Sequence, residues 1–239
     1  MEKRDKIYEG KAKIVYTTDD PDLVIQHFKD DATAFNAAKK GTVTNKGVMN
    51  NKISTKVFEF LEEEGIPTHF EKHLSDREML IKKVEIVPVE VIIRNRAAGS
   101  LCRALGLEEG ISLASTVLEF CYKNDDLNDP LINEYHIKAL GLATDEEVAI
   151  IKELTFKVND VMGKFFANFN LELIDFKLEF GRYKGKVILA DEISPDTCRL
   201  WEIGTGKKLD KDRFRHDLGN IEEAYQEVLS RLSDTKSIK

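Results

Sequence analysis

Cysteine is scarce in this chain. Three stand among 239 residues, Cys102, Cys121 and Cys198, odd in number, far apart and without a C-x-x-C pair. That excludes a disulfide framework and suits a reduced, cytosolic chain. Long apolar runs are missing too. None reaches the ~18 residues of a membrane span, and the N-terminal MEKRDKIYEGKAK is charged where a signal peptide carries an apolar stretch. No membrane partner is therefore expected. Positive charge is in deficit, with 36 Lys and Arg against 43 Asp and Glu, a net charge of −7. A general nucleic-acid binder needs a basic face, so no nucleic-acid partner is expected. Several catalytic strings are absent: G-x-S-x-G, the Walker A loop, G-x-G-x-x-G and the kinase H-R-D loop. His69 and His73 stand four apart, but HFEKH is not H-E-x-x-H and nothing completes a zinc set.

What is present is enough for a sizeable core. The chain is 42% hydrophobic and 33% charged, which excludes disordered and collagen-like classes. At ~150 residues per domain it makes one or two domains. Residues 6–17 read as a strand pair pivoting near Gly10, and 22–29 and 79–94 as alternating, β-branched strands. Residues 50–64 read as a helix, with Ile53, Val57, Phe60 and Leu61 on one face and Gly65 at the stop. Pro88 is expected at the crossing between two lobes. Residues 116–122 alternate again, and 123–133 carry turn chemistry. Thr144 and Glu147 form a capping box for a helix to about Ala167, striped by Val148, Ile151, Leu154, Val158, Val161 and Phe165. Residues 171–180 and 186–193 read as a hairpin around Gly181–Gly185. A last helix, about 218–232, buries Leu218, Ile221, Tyr225, Val228 and Leu232, and the tail SDTKSIK is expected to fray. There is no internal repeat. Strands and helices in mixed order predict an α+β fold with largely antiparallel sheets.

Five constellations carry chemistry. In Gly10-Lys11-Ala12-Lys13 a strand would put both lysines on one face, suited to a polyphosphate or simply to solvent. The stretch 39–52, KKGTVTNKGVMNNK, reads as a mobile, positive flap or a plain surface loop. On 90–100, Glu90, Arg94 and Arg96 share one face of an apolar strand; such charges must pair or face a cleft. In 174–180, Asp175, Lys177 and Glu179 alternate with Ile174, Phe176, Leu178 and Phe180. A turn centred on Tyr183 would bring Asp175 opposite Asp191, with Cβ atoms ~5 Å apart. Paired carboxylates suit Mg²⁺; a one-residue slip would substitute Glu192, and a salt-bridged exposed face is the other reading. Last, Ser194-Pro195-Asp196 reads as a cleft edge, with Arg199 and Arg215 placed to clamp an anion.

Together the strings YEGKAK (8–13), KGVMNNKIS (46–54), VPVEVIIRNRAAGSL (87–101), KNDDLNDP (123–130), IDFKLEFG (174–181), DEISPDTCRLW (191–201) and DKDRFR (210–215) span nearly the whole chain. On them the chain resembles the phosphoribosylaminoimidazole-succinocarboxamide synthases, or SAICAR synthetases. It departs at Ala37, where many relatives carry Gly, and at Glu202, where Asp is usual. The resemblance implies an α+β fold of two lobes, 1–84 binding nucleotide and 85–239 binding substrate and metal, with ATP between them as in ATP-grasp and protein-kinase sites. It implies an ATP-dependent amide ligase of purine biosynthesis, joining L-aspartate to carboxyaminoimidazole ribonucleotide (CAIR) through an acyl phosphate. ATP would lie on Lys11, Lys13 and Lys82, and Mg²⁺ on Glu179 and Asp191. CAIR would lie near Glu90, Arg94, Ser100, Arg199 and Arg215, with Lys177 between phosphates and carboxylate. Lys123–Asp129 is a candidate for the aspartate pocket, the 39–52 flap would be a lid, and a cytoplasmic homodimer is implied. A kinase and a nucleotide-sensing module are the competing classes; a kinase keeps phosphate on its acceptor, and a sensor turns nothing over.

Overall fold

A computed structural model describes residues 1–34 and 39–234. The departure at Ala37 and the tail from residue 235 lie outside the described residues. The N-terminal segment KIYEGKAKIVYT folds as β1 (Lys6–Glu9) and β2 (Lys13–Thr17) around a bend at 10–12. β3 (Leu23–Phe28) follows, and then a two-stranded ribbon of β4 (Asp31–Ala34) and β5 (Lys39–Thr42). Helix α1 (Lys46–Glu63) precedes β6 (Phe70–Ser75) and β7 (Glu78–Lys82). The first sheet is antiparallel, in the order β1-β2-β3-β7-β6.

Past residues 83–84 the chain enters a second antiparallel sheet. It contains β8 (Glu85–Arg96), β9 (Ser112–Tyr122), β10 (Leu131–Ile132), β11 (Leu171–Tyr183), β12 (Lys186–Ala190) and β13 (Cys198–Glu202). The order is β10-β9-β8-β11-β12, and β13 pairs β11 beyond its junction with β12. Pro88 does not mark the crossing. It sits inside β8, where the pairing with β11 jumps from Glu90 to Ile86; such an irregularity tolerates a residue without an N–H. Helices α2 (Gly99–Leu105), α3 (Glu134–Ala139), α4 (Asp145–Ala167), α5 (Asp212–Arg215) and α6 (Ile221–Ser233) complete the chain.

One apolar cluster joins α1, α4 and α6 to both sheets, with Ile53, Val57, Leu61, Val158, Phe166, Phe176, Phe180 and Val228 at its centre. The two sheets are also stitched through backbone. His69 N donates to Leu189 O (2.8 Å), and Leu189 N donates to Pro67 O (3.0 Å). Two expectations change, and the departure at Glu202 finds its place. The stretch 46–52 is the start of α1, with Lys46, Asn50 and Asn51 buried, so it is no flap or lid. Leu218 is exposed and precedes α6 instead of packing under it. Glu202 ends β13 bound to Arg231 and Thr205, on the outside of the molecule's cleft. Among the described residues no helix is long and apolar enough to cross a membrane.

The capping box is as expected. Thr144 Oγ1 accepts from Glu147 N (3.1 Å), and Glu147 Oε2 accepts from Thr144 N (2.9 Å). Glu147 is shared with Arg182 at the end of β11 (2.5 Å), which locks the start of α4 to the sheet. Thr144→Ala should therefore cost about 1 kcal/mol, read as a fall of roughly 2–4 °C in melting temperature for a chain of this size. An unchanged melting curve would show that the cap contributes nothing here.

Candidate active site

Two adjoining cavities open between the sheets. The first, of about 560 Å³, is apolar at one end (Tyr8, Val15, Val24, Ile81, Val84, Ile86) and charged at the other. The second, of about 440 Å³, is lined by Arg94, Ser100, Arg103, Arg199, Arg215 and Lys211. Lys11, Lys177, Asp129, Asp196 and Thr197 border both.

The wall between them is the acid-base-acid row on β11. Its register differs from the expected one. Lys184 and Gly185 (φ 49° and 79°) form the turn, because Tyr183 pairs Lys186; two successive left-handed residues close a two-residue hairpin. The turn centre thus moves past Tyr183, and Asp175 is not opposite Asp191. Asp175 instead pairs in register with Arg94 on β8 and Arg199 on β13. Nor is the polar face exposed: Asp175 and Glu179 are 3% and 5% accessible.

At the charged end of the first cavity, Glu179 lies directly across the strands from Glu90. Like charges so placed repel. Lys177 Nζ reaches Glu90 (2.6 Å) and Glu179 (3.2 Å), and Lys123 Nζ reaches Glu179 (2.8 Å) and Glu90 (3.7 Å). Burial alone would raise the Glu179 carboxyl. The charges of Lys177, Lys123 and Lys13 outweigh it and hold Glu179 at about 2. Burial likewise works against the Lys177 ammonium, and the two glutamates overcome it and raise its pKa. Lys13 pairs with Asp191 and with Glu192 Oε2 (3.3 Å). That buried oxygen accepts no hydrogen bond among the described residues. Asp191 itself sits at φ 62°, a left-handed turn directly after β12 that aspartate tolerates better than most residues.

The remaining expected nucleotide contacts border the first cavity. Lys11 lies in the bend before β2 instead of on the strand, and pairs with Asp125 (2.8 Å). Lys82 spends its ammonium on Thr68 O (2.9 Å) and Glu71 (3.2 Å), beside Lys83 and Val84. His69, 2% accessible, lines the same cavity against Phe58. Burial first, then Lys13 and Lys82, push its pKa to about 3, so it is neutral near pH 7.

In the second cavity Arg94 is fully engaged. It donates to Glu119 (2.8 Å), Asp175 (2.7 Å) and Ser100 Oγ (2.7 Å). Arg199 bridges Asp175 (2.8 Å) and Asp212 (2.8 Å), and Arg215 also takes Asp212 (2.6 Å). Gly99 (φ 57°) permits this: a Cβ there would stand 2.5 Å from Arg199 Nη2. Of the expected substrate residues, Arg94, Ser100, Arg199 and Arg215 converge here, whereas Glu90 faces the first cavity. Arg96 is elsewhere, on Glu172 (2.6 Å).

One buried cluster escaped the sequence reading. Lys46, 1% accessible, donates to Asp196 (2.5 Å), which also accepts from Tyr225 Oη (2.7 Å) and stands 3.9 Å from Lys211. Burial opposes both charges of the Lys46–Asp196 pair. The partners' opposite charges nevertheless hold Asp196 well below the usual carboxylate range and raise Lys46. The signal was available: Lys46 lies seven residues before Ile53, on the buried face of α1.

Comparisons with known proteins show which family the chain is similar to. A model described as SAICAR synthetase matches residues 6–232. A phosphoribosylaminoimidazole-succinocarboxamide synthase of Caldanaerobacter subterraneus is 62% identical over 232 residues, 97% of this chain and 99% of its own. The crystal structure of that enzyme from Ehrlichia chaffeensis superposes with a TM-score of 0.94 at 47% identity, covering 98% of this chain and 100% of the other. A SAICAR synthetase solved in complex with ADP gives a TM-score of 0.91 at 47% identity, covering 95% and 97%.

Breaking a buried ion pair leaves one charge uncompensated. Lys46→Met should therefore lower unfolding stability by about 3–5 kcal/mol in urea titrations at neutral pH. A loss under about 1 kcal/mol, the value of an exposed pair, would show that the cluster is wetter than drawn.

Proposed function

The chain belongs to the SAICAR synthetase family, and from that premise we propose how its cleft carries out ATP-dependent amide ligation in purine biosynthesis. The reading rests on one observation above the rest: Lys177 stands in the wall shared by the two cavities. One cavity has the apolar slot and lysine end suited to a purine nucleoside triphosphate. The other has the arginines suited to a phosphorylated acid. ATP binds in the first, on Lys11 and Lys13 with the base toward Lys82–Val84, between an N-terminal lobe ending near residue 84 and a C-terminal lobe after it. CAIR binds in the second, its phosphate on Ser100, Arg199 and Arg215, with Arg94 setting the geometry of that group from beneath. Glu90, on the other side of the wall, holds Lys177.

A carboxylate does not acylate an amine, because oxide is too poor a leaving group. The CAIR carboxylate therefore takes the γ-phosphoryl group and ADP departs. The amine of L-aspartate then attacks the acyl carbon, phosphate leaves, and the amide of SAICAR remains. Phosphoryl transfer is chiefly positioning and charge neutralisation. Lys13 and Lys177 supply the positive charge at the junction of the cavities, and Lys177 meets the substrate carboxylate. Bound substrates filling the two cavities would leave little room for water at the acyl phosphate.

Mg²⁺ fits the donor set. Glu179, Asp191 and Glu192 offer hard carboxylate oxygens, and Glu192 Oε2 is buried without a hydrogen bond. No group of three or more metal-ligating side chains is gathered among the described residues. Mg²⁺ needs none, since it is held by one or two carboxylates together with phosphate oxygens and water. Glu179 and Asp191 would hold it, and when bound it would neutralise phosphate charge. The working form we propose is a cytoplasmic homodimer.

The test is ADP release measured with CAIR and L-aspartate each omitted in turn. Wild type should release ADP and free phosphate only with all substrates present. Asp191→Asn should keep the melting temperature and lose turnover by 10²-fold or more, the usual order for one preorganised contact. Near-normal turnover would remove Asp191 from the site, and phosphate left on an acceptor would make the chain a kinase.

A further inference from the structure

The cations of the second cavity are committed, with one exception. Arg94 is held by Glu119 and Asp175, Arg199 by Asp175 and Asp212, and Arg215 by Asp212. Lys177 is held by Glu90 and Glu179, Lys11 by Asp125, and Lys211 faces Asp196. Arg103 borders the same cavity, and no salt bridge or hydrogen bond engages its guanidinium among the described residues. It stands on α2, three residues after Ser100, so both project from one face of the helix. It is exposed, at the cavity's mouth, whereas Arg94, which donates to Ser100 Oγ, is buried.

From this we propose that Arg103 binds a carboxylate of the amine substrate, so that the mouth of the second cavity beside α2 is the amino-acid subsite. The inference rests on the ligase reading above. Two anionic ligands must share this cavity region, and their chemistry sorts them. A phosphate dianion calls for several donors fixed in place, which Ser100, Arg199 and Arg215 supply. A carboxylate is satisfied by one guanidinium fork. The open side of the cavity gives the amine a way in to the acyl carbon. A cation without a counter-ion at that opening draws in a dicarboxylate and turns its amine inward. It also gives a basis for selecting a dicarboxylate over a neutral amino acid, whose missing side-chain charge would leave the guanidinium unanswered. The Lys123–Asp129 turn is less suited, because Lys123 is occupied by Glu179.

The experiment compares wild type, Arg103→Ala and Arg103→Lys in steady-state ADP release, with the KM for L-aspartate, CAIR and ATP measured separately. Arg103 is exposed on a helix, so alanine there should leave the melting curve unchanged. Arg103→Ala should raise the KM for L-aspartate by about 10-fold or more, the order expected for a lost charge-assisted hydrogen bond. The KM for CAIR and ATP should stay within about twofold, and Arg103→Lys, which keeps the charge without the fork, should recover only part of the loss. A rise in the KM for CAIR instead would assign Arg103 to the phosphate and overturn the subsite, as would no change in any KM. Failure of wild type to release ADP in response to L-aspartate would overturn the ligase reading itself, and the subsite with it.

Discussion

Two glutamates face each other across neighbouring strands in the middle of this molecule, and everything in the cleft is arranged around that repulsion. Glu90 and Glu179 are a directly opposed pair on β8 and β11, both nearly buried. A sheet does not hold two such carboxylates unaided. Lys177, two residues before Glu179 and on the same side of β11, reaches both, and Lys123 arrives from beyond β9 to second it. The pair and its lysines form a small lattice of alternating charge. Lys13 extends it to Asp191 and Glu192 across the first sheet.

In such a lattice each carboxylate is answered by an ammonium group. In the proposed reading, triphosphate oxygens and a divalent ion would bring negative and positive charge of the same kinds, so that a lysine could answer a phosphate and leave a glutamate able to hold the metal. No charge is then left bare in a region of low dielectric, where a bare charge costs most. The second cavity works differently. Its Arg94, Arg199 and Arg215 are pinned by Asp175 and Asp212, which fixes their forks in space. In that reading one cavity would work by charge exchange and the other by shape, and Lys177 borders both.

Much of this was legible in the residues. The alternation of 174–180, the stripe of α4 with its Thr144–Glu147 box, and the turn chemistry after Tyr122 follow from local rules that tertiary structure did not override. The register of the β11–β12 hairpin was not legible. Gly181 and Gly185 compete as turn residues, and Lys184-Gly185 wins because both adopt positive φ; Gly181 stays in the strand, where Val84 would leave no room for a Cβ. The stretch 39–52 misled for a similar reason. Its lysines, asparagines and glycines have the composition of a loop, yet Lys46 is drawn into the interior by Asp196, 150 residues away in sequence. Local composition carries no record of so distant a partner. Pro88 misled because an irregularity in the pairing, invisible in the sequence, removes its cost.

Carboxyl titration by NMR in wild type and in Lys177→Met probes the lattice most directly. With Lys177 present, Glu179 should titrate near 2, well under its ordinary 4.5, because the ammonium groups stabilise its charge. Without Lys177, the Glu179 carboxyl should titrate clearly higher than in wild type, in a protein that is still folded. A Glu179 carboxyl that titrates alike in both proteins would contradict the claim that Lys177 holds the pair together.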